Sequence, residues 1–122
     1  MSPKKESLSR RERLSLTEDF KRILGKGKKL WLDKYLLILL YPNHLNCRRL
    51  GLIVSKKVGK AAKRNKIKRL LRNLYRKNKE IFPIGTDIVM IPHPNIEKLD
   101  YNELLILLKK ELSLFRIDEL YQ

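Results

Sequence analysis

Between Ser55 and Lys79 the chain reads SKKVGKAAKRNKIKRLLRNLYRKNK, with twelve Lys or Arg and no Asp or Glu. At about 100° per residue, Ile67, Leu70, Leu71, Leu74 and Tyr75 share roughly 140° of a helix, predicted here over 59–79. Arg64, Asn65, Lys68, Arg69, Arg72 and Arg76 fill an adjoining sector of similar width, and Lys66, Asn73 and Lys77 take the rest. The segment therefore needs an apolar surface to cover its stripe and something anionic to face its cations. Arg64, Lys68, Arg72 and Arg76 repel one another at i, i+4 spacing, at a few tenths of a kcal/mol per pair. A run of charge is usually a solvated surface. The complete lack of acids and the ordered separation of sectors favour phosphate, which Arg forks bind in bidentate fashion.

The rest of the composition points the same way. The formal net charge is +16 over 122 residues, with a pI of about 10.2. Residues 1–79 hold 25 basic and 5 acidic side chains, a net +20, and residues 80–122 hold 4 and 8, a net −4. A merely solubilising surface would not divide so unevenly, whereas a nucleic-acid-binding face would. The single cysteine, Cys47, excludes an internal disulfide and a cysteine metal cluster. The N-terminal MSPKKESLSRRERL has no apolar signal core, and the longest apolar run, Tyr35 to Tyr41, is too short to span a bilayer. The expected setting is cytoplasmic, with no membrane contact.

The predicted organisation is a flexible basic arm over 1–14, one α+β nucleic-acid-binding domain over 15–116 and a tail over 117–122. Leu16 to Leu24 reads as a helix capped by Thr17, with Leu16, Phe20, Ile23 and Leu24 on one side of it and Gly25 and Gly27 ending it. LWLD, YLLILLY, RRLGLIVS and DIVMIP read as strands. Tyr101 to Phe115 reads as a helix capped by Asp100, with Leu104, Leu105, Leu108 and Leu112 facing the core. The order α-β-β-β-α-β-α implies a two-layer sandwich built on a four-stranded mixed sheet. SKKVGK hands a strand over to the basic helix. Gly59 permits a sharp turn there, and Lys56, Lys57 and Lys60 reinforce the anion preference of a helix N-terminus.

Competing functions are less well supported. A metal-dependent nuclease needs clustered carboxylates or histidines. The basic half offers only Glu6, Glu12, Glu18, Asp19 and Asp33 in no tight pattern, and His44 and His93 lie in turn-like segments. KRNKIKRLLRNLYR could enter a DNA major groove, but no heptads or dimer signature accompany it. A membrane-surface helix would favour a Trp or Phe wedge that the apolar sector lacks.

The motif RLGLIVSKKVGKAAKRNKIKRLLRNLYR resembles the protein subunit of bacterial ribonuclease P. The matching positions are Arg49, Gly51, Ser55, Lys56, Lys57, Gly59, Ala61, Arg64, Asn65, Lys68, Arg69 and Arg72, in unbroken spacing, with the early DFKRIL in support. The resemblance implies a left-handed βαβ crossover around the basic helix. It implies a non-catalytic subunit of an endoribonuclease whose chemistry belongs to an RNA and its Mg2+, with no cofactor, metal or small-molecule substrate of its own. The partners implied are that catalytic RNA and precursor tRNA, whose 5′ leader is removed. By resemblance, Lys56, Lys57, Lys60, Arg64, Asn65, Lys68, Arg69, Arg72 and Arg76 face RNA. Phe20, Lys21, Leu24, Tyr35, Ile38, Arg49 and Ile53 would line a cleft for the leader. The positions matching Leu24 and Ile38 are commonly aromatic in the family, so stacking there would be weaker.

Overall fold

A computed structural model describes residues 12–121. Its elements are α1 (Thr17–Lys26), β1 (Lys28–Leu32), β2 (Leu36–Pro42), β3 (Arg49–Leu52), α2 (Ala61–Arg76), β4 (Thr86–Pro92) and α3 (Tyr101–Leu114), the expected order. Short 3-10 turns occupy Lys56–Val58, Lys79–Ile81, Pro94–Lys98 and Ile117–Tyr121.

The sheet runs β1-β2-β4-β3, antiparallel except where β3 lies parallel to β4. Strand alternation divides its side chains between two cores. Leu36, Ile38, Leu40, Ile88 and Met90 pack with Ile67, Leu71, Leu74, Leu104 and Leu108, forming the sandwich of sheet with α2 and α3. Leu39 and Val89 point the other way and pack with Ile23 of α1 and Leu14. α1 thus crosses the second face of the sheet. Burial on both faces is the reason YLLILLY is apolar without a break.

The β3–α2–β4 crossover is left-handed. Met90 turns its side chain towards α2, and its carbonyl accepts from Ile53 N–H at 3.0 Å, on the β3 side. For an L-residue this puts β3 on the right of β4 when the sheet is viewed from α2 with β4 running upward. The chain therefore steps leftward in front of the sheet, against the usual right-handed rule.

Several boundaries differ from the sequence reading. α2 is shorter than 59–79. Gly59, at φ 149°, is in a conformation that excludes continuation of the helix, and an added Cβ would meet the Lys63 side chain at 2.6 Å. At the other end, the Asn78 side chain donates to Leu74 O (2.8 Å) and to the Tyr101 hydroxyl (2.9 Å), closing the last turn. In α1 the N-cap is Leu16, with no side-chain cap bond, so Thr17 is the first helical residue rather than the cap. Leu16 is 63% exposed, and the helix runs through Gly25 to a cap at Gly27. Asp100 caps α3 as expected, in a reciprocal bond pair with Glu103.

The predicted arm and tail are tied down where they are described. Leu14 N–H donates to Leu50 O at 2.9 Å and Leu14 is buried. Leu120 is buried, and Glu119 pairs with Lys28 at 2.9 Å. Residues 1–11 of the expected arm lie outside the described residues.

Glu12 reaches over α2, accepting from the Tyr75 hydroxyl and from Lys79 Nζ, both at 2.8 Å. Burial, then the bond to Glu12, pushes the Tyr75 phenol well above its usual range. The unfolded phenol releases its proton near pH 10 while the folded one keeps it, so the folded state binds more protons above that pH. Stability is therefore expected to fall as pH rises above about 10. Tyr75→Phe should flatten that alkaline limb in urea denaturation series at pH 9–11; an unchanged slope would show that Tyr75 is not the responsible group.

Candidate nucleic-acid interface

α2 carries its cations at the outer edge of the sheet, beside β3. Lys68 and Arg72 line a groove of about 400 Å3 with Arg13, Leu14, Phe20 and Leu50–Leu52. Arg64 and Arg76 continue the same ridge one turn either way. Among the described residues, no ion pair engages Arg64, Lys68, Arg69 or Arg72. The acids that do meet α2 and its end take other cations: Glu97 pairs with Lys63 at 2.6 Å and Glu12 with Lys79. Lys77 sits 5.6 Å over the Tyr101 ring. Asn65 is exposed beside the ridge, and Arg76 donates to Asn73. Lys56, Lys57 and Lys60 are exposed in the turn before α2, whose first N–H groups have no side-chain cap. All nine residues expected to face RNA thus lie on one helix or the turn leading into it.

The other group of residues is placed by α1. Phe20 lies over Gly51, where an added Cβ would sit 2.6 Å from two ring carbons, and this close approach is the physical need for that glycine. Phe20 also lines the groove with Lys68 and Arg72, so ring and ridge adjoin. Leu24, one turn on, is 45% exposed, and Lys21 is exposed between them. On the sheet face that α1 crosses, alternation and register align Trp31, Leu37 and Ile91, and Ile53 continues β3 past Gly51, which pairs with Val89. This apolar row is only partly covered. Tyr35, half-buried, stands two residues before Leu37, its carbonyl accepting from His93 N–H at 2.9 Å.

Two expected cleft residues are placed differently. Ile38 is fully buried in the α2/α3 core, because alternation turns Leu37 and Leu39, not Ile38, towards α1. Arg49 is held by acids: its Nε and Nη2 donate to Asp87 Oδ1 and Oδ2 at 2.7 Å, and Nη1 stands 3.6 Å from Asp19 of α1. Those contacts raise its already high pKa, the Asp87 bond contributing most. Asn43 also donates to Asp87 at 2.9 Å, and Arg22 to Asp19 at 3.2 Å. Arg49 is therefore a positioning residue that ties α1 to β3 and β4. Asp87 and Ile91 were absent from the sequence-based site. A lone acid inside the apolar run DIVMIP was the available signal, since a buried carboxylate needs a partner.

Among the described residues, no three His, Cys, Asp or Glu side chains gather as metal ligands, and no helix is long and apolar enough to cross a membrane.

Comparison with known proteins places these features in a family. The family model described as Ribonuclease P matches residues 8–115. The "Ribonuclease P protein component" of Thermotoga maritima is 43% identical over 113 residues, covering 86% of this chain and 96% of that protein. That of Syntrophus aciditrophicus is 39% identical over 112 residues, covering 88% and 93%. The solved RNase P protein from Thermotoga maritima superposes with a TM-score of 0.75 at 38% identity, covering 86% of this chain and 98% of that one. The Staphylococcus aureus RNase P protein gives 0.73 at 29% identity, covering 84% and 94%.

Proposed function

The chain belongs to the ribonuclease P protein family, and from that premise we propose that it binds a catalytic RNA through the α2 ridge and the 5′ leader of precursor tRNA across α1 and the sheet. The observation that carries this reading is the cationic ridge, whose Arg64, Lys68, Arg69 and Arg72 meet no acid among the described residues and which shares one groove with the ring of Phe20, itself packed on the same cluster as the partly covered apolar row. The ridge neutralises phosphates and releases counterions. The row suits unpaired bases, whose faces gain from apolar and aromatic contact. Phosphodiester hydrolysis and its Mg2+ belong to the RNA. The protein's part is to hold leader and RNA together, which raises substrate affinity and lowers the Mg2+ required. A cytoplasmic location follows from that partnership.

The test is reconstitution with a catalytic RNA of the same source. Leader removal from precursor tRNA at low Mg2+ should require both components. Phe20→Ala should weaken binding of precursor tRNA by about five- to a hundredfold, the loss expected for one stacked base, and leave mature tRNA unaffected. Phe20→Leu checks that the change is not unfolding, since the ring also packs on Gly51. Equal losses for leader-bearing and leaderless tRNA would sink the leader reading. Sustained cleavage by protein alone would sink the RNA-catalysed one.

A further inference from the structure

We propose that Trp31 extends the leader-binding face to the outer edge of β1, where its indole stacks on a leader base farther from the groove than those near Phe20. This inference rests on the leader reading above. Trp31 is the chain's single tryptophan and is 57% exposed although it lies within a strand. Its strand neighbours Leu30 and Leu32 are buried in the α2/α3 core, so alternation turns the indole to the face crossed by α1. There it stands opposite Leu37, which stands opposite Ile91. At about 4.8 Å per strand, the row from Ile53 to Trp31 spans roughly 14 Å. Trp31 is the aromatic end of that row, and Phe20 stands beside its other end. Lys29, exposed two residues before Trp31 on the same face, has no ion pair among the described residues. An unpaired nucleic-acid strand matches both features: its bases present flat faces to an indole and its phosphates meet a lysine. Leu45, Ile84, Ile106 and Leu114 are also exposed, but they lie on loops and on α3 rather than on this row.

Because Trp31 is the chain's sole indole, its fluorescence reports on the site directly. Full-length protein in holoenzyme with the catalytic RNA should be titrated with precursor tRNAs whose leaders grow one nucleotide at a time. The expected result is quenching of Trp31 that sets in only above a threshold leader length. Beyond that length Trp31→Leu should lose about tenfold in affinity, and Trp31→Phe should recover most of it. The Phe20→Ala loss should set in at shorter leaders. If affinity depends on Phe20 and leader length while Trp31→Leu and the fluorescence are indifferent to length, the leader reading stands and the Trp31 inference falls. If mature tRNA quenches Trp31 as fully as a long precursor does, the inference also falls. A fluorescence change driven by protein concentration alone, with association seen in sedimentation, would assign the indole to a contact between copies and overturn it.

Discussion

Replacing Asp87 by alanine is expected to destabilise the fold by about 3–5 kcal/mol, the usual consequence of removing one partner from a buried ion pair. The Asp87 side chain is 3% exposed and that of Arg49 21%, so the guanidinium left behind recovers little hydration. Asn43 would lose an acceptor as well. Urea denaturation at neutral pH measures the loss. Arg49→Met combined with Asp87→Leu should recover most of it, because the double variant buries no unpaired charge. A cost below about 1 kcal/mol for Asp87→Ala would show that the pair is solvated and unimportant. The same lesion should reach function indirectly. Arg49 also faces Asp19 of α1, so leader affinity should fall more than affinity for the catalytic RNA.

The combined Lys68→Gln and Arg72→Gln variant should bind the catalytic RNA at least about a hundredfold more weakly, taking about 1.5–3 kcal/mol for each charge-assisted contact. Each phosphate contact removed should also flatten the log–log salt dependence by about 0.7–0.9. Folding should be unharmed, since Arg72 is exposed, Lys68 half-buried, and the change relieves like-charge repulsion along α2. Filter binding across a salt series, with thermal melting alongside, separates the two effects. Wild-type affinity and slope would reduce the ridge to a solvated surface.

What the sequence determined by itself was local. Ile67, Leu71, Leu74 and Tyr75 are all buried, as the 3.6-residue period requires, and the basic sector beside them is turned outward. Asp100 and Glu103 encode the start of α3 within four residues. The four strands were readable as apolar runs between turns, and the residues that the resemblance implies for RNA share one helix and the turn before it.

The tertiary structure decided whatever depends on partners far apart in the chain. A continuous run such as LLILLY does not reveal which of its two faces meets which helix, so Ile38 and Leu37 could not be told apart until α1 settled on the face opposite α2 and α3. Arg49 and Asp87 stand 38 residues apart in sequence and become neighbours only through the parallel pairing of β3 with β4. The adjacency of Phe20 to Lys68 and Arg72 likewise needs Gly51, whose missing Cβ lets a ring from α1 rest on the strand beside the basic helix. Periodicity records which side of an element is apolar; only packing determines what that side meets.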